Sequence, residues 1–177
     1  LNQLLIADLL KDTLKTTKMI ENKKFSKDVV MKGGIIISKY IPGIDLWQYI
    51  NNLGTGLPEI KAKKIIKSLL YSLKNIHDKN IIHSDIKLEN IVCFNNNPYE
   101  SNLIDYDLAN ILDKEETSVS CKLEGTIPFI APEIVKTQRK CKKSDIWSLG
   151  CLTFVLLFHK HLISNNKINF MKTIKDD

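Results

Sequence analysis

Apolar residues recur along this chain with two different spacings, and the change between them marks out its elements. Leu4 to Thr16 has a helical rhythm. Val29 to Tyr40 is β-branched and apolar around Gly33-Gly34, a dipeptide suited to a hairpin turn, and predicts two short strands. Ile41-Pro42-Gly43 interrupts that run, and Leu46 to Asn51 predicts a short helix. The strongest helical pattern covers Pro58 to Lys79, opened by a proline and by Glu59 in the first turn. Ile65, Ile66, Leu69, Leu70, Leu73 and Ile76 line one face of it. Two strands follow, around Ile91 to Phe94 and Leu103 to Ile104. Asp145 to Phe158, apolar nearly all round, predicts a buried helix. A few strands followed mostly by helices make an α+β chain. There is no internal repeat, and the asparagine clusters Asn95-Asn96-Asn97 and Asn165-Asn166 read as loops.

One stretch breaks the pattern. IIHSDIKLENIV, residues 81 to 92, sets His83, Ser84, Asp85, Lys87 and Asn90 between apolar pairs. Any one of these residues alone has a bland reading, as a capping, core or surface group. Together with Asp105 in LIDYD, residues 103 to 107, they supply the parts that phosphoryl transfer from a nucleotide requires. That chemistry needs a hydroxyl-proton acceptor, a cation on the phosphates and oxygen ligands for Mg²⁺. Asp85 suits the first role and Lys87 the second. Asn90 and Asp105 carry the hard oxygens that Mg²⁺ takes.

Composition narrows the setting. With 177 residues, 44% of them hydrophobic, the chain suits one globular domain. Its net charge of +6 comes from lysine, Arg139 being the sole arginine, so solvated lysine faces explain it better than a nucleic-acid site. The four cysteines show neither CxxC nor metal spacing and read as reduced thiols, as in the cytoplasm or nucleus. Leu149 to Phe158 is too short an apolar run for a bilayer, so neither membrane nor nucleic acid is expected as a partner. No signal peptide is visible. The chain begins at Leu1, which raises the expectation of a piece of a longer protein.

The order of the motifs is more telling than any one of them. HSDIKLEN resembles the catalytic-loop pattern H-R-D-x-K-x-x-N of the eukaryotic protein kinase family, and IDYDLA its metal-binding D-F-G stretch. GTIPFIAPE, residues 125 to 133, resembles the end of that family's activation segment. SDIWSLG, residues 144 to 150, is similar to the start of its buried helix, and IIISKYIPGIDL, residues 35 to 46, to its last N-lobe strand and hinge. These signals cover residues 35 to 158 in the family's order. The resemblance implies a mostly α-helical C-lobe at 41–177, ending near the family's helix G, and a partial β-rich N-lobe with the start of the hinge at 1–40. It also implies Mg²⁺, ATP and a protein serine or threonine as reactants.

Carried over by position, the resemblance makes Asp85 the catalytic base, Lys87 the phosphate contact, and Asn90 and Asp105 the Mg²⁺ ligands. Backbone groups of Lys39 and Ile41 would meet the adenine edge and Asp45 the ribose, with Leu46 and Val92 as the pocket floor. Lys87, four residues after His83, and Thr126 after Gly125 mark the serine/threonine subclass. Thr126 would contact both Asp85 and Lys87, and Asp145 would hold the backbone around His83.

The departures from the family pattern are specific. Ser84 stands where the family has the arginine that pairs with an activation-segment phosphate, which implies regulation without that pairing. For Thr117, Ser118 and Ser120 a solvated loop is therefore the leading reading. Asp107 replaces the glycine of D-F-G, which should restrict the backbone there. No G-x-G-x-x-G occurs, and Lys32 of VVMK lies too close to Tyr40 to be the family's phosphate-pairing lysine. Asp8 falls near the place of that lysine's glutamate partner. The resemblance implies an arginine in a later helix as the partner of Glu133, and these 177 residues do not contain that helix. An enzyme is the first expectation, a catalytically impaired scaffold the second. Small-molecule phosphotransferases with an H-x-D loop are disfavoured by Ala131-Pro132-Glu133 and SDIWSLG.

Overall fold

The computed structural model of the protein describes residues 17–20, 35–38 and 40–175, with side chains from Tyr40 to Ile174. The chain divides into two compact units, 1–40 and 41–177. In the first, β1 (Thr17–Ile20) pairs antiparallel with β2 (Ile35–Ser38), Thr17 opposite Ser38. The expected strand at 35–38 is therefore present, and its partner is Thr17–Ile20, for which no strand was predicted. Val29 to Met31, Lys32, Gly33-Gly34, Asp8, Lys39 and the Leu4–Thr16 helix lie outside the described residues.

The second unit starts with β3 (Gly43–Asp45), which runs into α1 (Leu46–Leu53). Asp45 caps that helix, its carboxylate accepting the N–H of Gln48 at 2.8 Å. Gly54 ends it in the left-handed conformation, φ 69°, its N–H bonded back to Ile50 and Asn51. The next glycine, Gly56, is required by close approach: a Cβ there would sit 2.0 Å from the carbonyl oxygen of Leu157. The N–H of Leu57 bonds Leu156 beside it.

α2 (Glu59–His77) buries Ala62, Ile65, Leu69, Leu73 and Ile76. Ile66 is only half-buried and Leu70 is 45% exposed, so the buried stripe is narrower than the sequence suggests. At about 100° per residue, Ile66 and Leu70 stand one row round from Ile65 and Leu69, at the edge of the covered face. Each buried aliphatic side chain contributes about 1.5–3 kcal/mol.

β4 (Ile81–Ile82) pairs with β7 (Asn110–Ile111). β5 (Ile91–Phe94) lies between β3 and β6 (Ser101–Leu103) in an antiparallel sheet. Asn95 and Asn96 both take positive φ in the β5–β6 turn, which asparagine tolerates. The Asn96 side-chain oxygen accepts the N–H of Ile44, so this turn is bonded to β3 as well.

Beyond β7 come β8 (Val119–Ser120), α3 (Pro132–Thr137), β9 (Arg139–Lys140), α4 (Lys142–Phe158) and α5 (Lys167–Lys175). β8 and β9 pair antiparallel. Ile130, Ala131 and Ile134 pack with Ile163, Phe170 and Ile174 in one apolar cluster, which covers α5. α4 departs from the expected all-round burial: Ile146 and Phe158 are about half exposed while Ser144, Asp145 and Ser148 are buried. Those inward polar groups all have partners. Ser148 donates to the carbonyl of Phe129 at 2.8 Å, and Ser144 donates to Glu133 at 2.7 Å. Among the described residues no helix is long and apolar enough to cross a membrane.

Candidate active site

The stretch that interrupts the apolar pattern is a loop running from β4 through a short 3₁₀ turn, Leu88–Asn90, into β5. Its sequence alternates for a reason. Ile86 and Leu88 are buried, and Asp85 and Lys87 between them remain partly exposed. The apolar residues act as anchors, and the charged ones are held up by them.

Asp145, buried on α4, fixes the backbone of this loop. One carboxylate oxygen accepts the N–H of His83 at 2.9 Å and the other that of Ser84 at 2.9 Å. The expectation from sequence is met here. Sequence reading missed the third partner, His77 at the end of α2, whose Nε2 lies 2.8 Å from Asp145. Nothing around His77 marks it, because the contact spans 68 residues.

His83 is fully buried, and burial lowers its pKa below the ordinary imidazole value, outweighing the nearby carboxylates. The neutral ring fits its surroundings in one tautomer: Nε2–H donates to the carbonyl of Ile104 at 3.1 Å, and Nδ1 accepts the N–H of Asp85 at 3.4 Å. Tyr106 packs against the ring, centroids 4.8 Å apart. The histidine thus couples the loop to the segment that carries Asp105.

Four side chains meet above this scaffold. Asp85 accepts from Thr126 Oγ1 at 2.8 Å through one oxygen, and from Asn90 Nδ2 at 3.0 Å through the other. Lys87 Nζ lies 2.9 Å from Asp85 Oδ2 and donates to Thr126 at 3.0 Å. Thr126 therefore touches both charged groups, as its sequence position implies. Asn90, itself buried, also donates to the Asp85 carbonyl at 2.9 Å, which turns its side-chain amide NH₂ towards Asp85.

Asp105 is exposed and takes a left-handed conformation, φ 63°. The N–H of Ile104 bonds the Asn90 carbonyl at 2.9 Å, so the segment carrying Asp105 is tied to the loop carrying Asn90. Asp105 accepts the N–H of Asp107 at 3.3 Å. Asp107 is not among the positive-φ residues, so the unusual conformation of this motif falls on Asp105 and not on the glycine position. Among the described residues no group of three or more His, Cys, Asp or Glu could hold a metal ion. One amide oxygen and one exposed carboxylate are nevertheless the kind of sparse hard-oxygen set Mg²⁺ uses when phosphates and waters complete its shell.

Of the residues assigned to the nucleotide, Asp45, Leu46 and Val92 fall in one neighbourhood of the second unit. Asp45 and Val92 are direct partners across β3 and β5, and Leu46 follows Asp45. Ile41 and Val92 are half-buried, and Leu46 is fully buried. One oxygen of Asp45 is engaged in capping α1. Lys39 lies outside the described residues.

The serine at position 84, a departure from the family pattern, has a visible consequence. The side chain of Ser84 is buried with no hydrogen-bond partner, on a residue with φ 73°. The Glu133 carboxylate accepts the hydroxyl of Ser144. Ser118 and Ser120 are not simply solvated: both hydroxyls accept from Arg139, at 2.9 and 3.3 Å. Lys140 is a second residue the sequence did not single out. It reads as one more surface lysine, yet it is fully buried against Glu124.

Comparison with known proteins agrees with this arrangement. A family model described as "Protein kinase domain" matches residues 10–177. Probable serine/threonine-protein kinase 2 of Plasmodium falciparum is 34% identical over 123 residues, 69% of this chain and 23% of that protein. The meiosis-specific serine/threonine-protein kinase mek1 of Schizosaccharomyces pombe is 31% identical over 154 residues, 80% of this chain and 33% of its own. Myosin light chain kinase 2 of Rattus norvegicus is 31% identical over 126 residues, 70% of this chain and 20% of its own. The chain thus spans between 20% and 33% of the length of these three relatives. With its motifs in order, its catalytic-type loop pinned by Asp145 and a family match over residues 10–177, the chain belongs to the protein kinase family.

Proposed function

We propose that the chain carries the catalytic loop of a serine/threonine protein kinase, transferring the γ-phosphoryl group of ATP to a protein hydroxyl in the cytoplasm or nucleus. The observation that carries this reading is the closed cluster of Asp85, Lys87 and Thr126, with all contacts between 2.8 and 3.0 Å. Asp85 orients the substrate hydroxyl and takes its proton as the oxygen–phosphorus bond forms, while ADP leaves. Lys87 places its ammonium beside the transferring group. Thr126 fixes both, so neither has to be ordered when substrate arrives. Asn90 and Asp105 would hold Mg²⁺, which neutralises phosphate charge when bound. Ile41, Asp45, Leu46 and Val92, with Lys39, would receive the nucleoside.

The test is transfer of labelled phosphate from Mg-ATP to a mixed serine/threonine protein, with a thermal-shift measurement alongside. Asp85→Asn is expected to lower turnover by roughly 10²–10⁴-fold. An impaired scaffold is the second reading, favoured by the absence of G-x-G-x-x-G from these 177 residues. No transfer and no shift with Mg-ATP would decide for it.

A further inference from the structure

Among the described residues Lys140 is a fully buried side chain, 1% exposed, where most other lysines are exposed. Its ammonium donates to the Leu108 carbonyl at 2.8 Å and to Glu124 Oε1 at 2.6 Å. These two partners stand at opposite ends of one excursion of the chain, residues 109 to 123. Leu108 lies three residues beyond Asp105, and Glu124 lies two residues before Thr126. One cation therefore closes the base of the segment whose two ends carry parts of the site.

That cation is carried on a paired strand that leads into α4. Lys140 is paired with Val119 across β9 and β8. Two residues later α4 begins, and α4 carries the Asp145 that holds the catalytic-type loop. Glu124 and Asp145 thus lead back to one short stretch of chain, residues 140–145, the first through Lys140 on β9 and the second at the start of α4. Gly125 separates Glu124 from Thr126 with φ 104°, a conformation that leaves little alternative to glycine. Fixing the Glu124 carboxylate therefore restricts where the Thr126 hydroxyl can lie.

Stability alone does not account for burying a lysine here. Desolvating an ammonium is costly, and apolar residues of similar volume often replace a buried ion pair without loss. What methionine could not do is bind a carbonyl and a carboxylate from two different segments at once. Glu124 is itself one-third exposed, so the pair is partly screened and its value lies in geometry more than in charge energy.

We propose that Lys140 is a positioning residue: through Glu124 and Leu108 it holds Thr126 on Asp85 and Lys87, and Asp105 beside Asn90. The role rests on the phosphotransfer reading above and is tested separately from it. The double variant Lys140→Met/Glu124→Met removes both charges together. Its thermal midpoint is expected to stay close to that of the parent, whereas turnover falls roughly tenfold to a hundredfold with the KM for ATP little changed. Amide hydrogen exchange at Glu124 to Thr126 is expected to rise at least about tenfold, while amides in α2 keep their protection.

If the double variant does not fold, Glu124→Asp, which keeps both charges and shortens the tether by one methylene, serves with the same two readouts. Parent-like turnover or parent-like exchange at Glu124 to Thr126, in whichever variant is folded, overturns the proposal. A lowered midpoint with unchanged turnover per folded molecule also overturns it, since that is the mark of a merely structural pair. Should the parent chain transfer no phosphate, the kinase reading fails, and the exchange measurement still decides the role of Lys140.

Discussion

The hydroxyl of Thr126 lies 2.8 Å from the carboxylate of Asp85, although 41 residues separate them along the chain. A hydrogen bond to a charged group of this kind contributes about 1.5–3 kcal/mol. Thr126→Val removes the donor while keeping the shape. Turnover in phosphate transfer is expected to fall by roughly tenfold to a hundredfold, whereas Thr126→Ser retains most of it. Equal turnover for the valine and serine variants would sink the assigned role.

Asp145 offers a prediction about stability. Its carboxylate, itself buried, satisfies two backbone N–H groups and faces His77. Asp145→Ala leaves those donors unpaired, at a cost of about 1–3 kcal/mol for each buried group. Urea unfolding is expected to show a loss of at least about 2 kcal/mol. A loss under about 0.5 kcal/mol, the size of an ordinary surface change, would mean the loop backbone finds other partners.

His83 makes stability depend on pH. Burial depresses its folded-state pKa below the ordinary value of 6.5, so the fold refuses a proton that the unfolded chain accepts. The contribution is complete above that value and is lost as pH falls through it towards the folded pKa. The slope is at most about 1.4 kcal/mol per pH unit. Thermal midpoints measured between about pH 7.5 and about pH 5.5 are expected to fall more steeply than in His83→Gln. Parallel curves would exclude His83 as the source.

The thiols should divide by burial. Cys93 and Cys151 are buried, and desolvation pushes both up to about 11, so neither presents thiolate at neutral pH. Alkylation under native conditions, read by mass spectrometry, is expected to spare both until the chain unfolds. Early labelling of Cys93 would imply that the β3–β5–β6 sheet opens readily.

Much of the second unit is legible in the sequence. The apolar rhythm of Pro58 to Lys79 became α2 (Glu59–His77), and Leu46 to Asn51 became α1. Those stretches are long and periodic, or carry a cap such as Asp45 that acts within three residues. The two-residue strands β4, β7, β8 and β9 were not legible. Two residues carry no period, and such strands exist only because their partners arrive from elsewhere in the chain.

The site divides in the same way. Order and spacing of HSDIKLEN, IDYDLA, GTIPFIAPE and SDIWSLG identify the family, because each motif is a run of residue types fixed within a few positions. The alternation of Asp85, Ile86, Lys87 and Leu88 likewise states locally which side chains anchor and which remain partly exposed. Only the tertiary structure decided that His77 faces Asp145, that Ser144 bonds Glu133, and that Lys140 is buried. A lysine is marked as buried by its partners and not by its neighbours in sequence. Its partners here, Leu108 and Glu124, come within reach only after the intervening chain has folded back on itself.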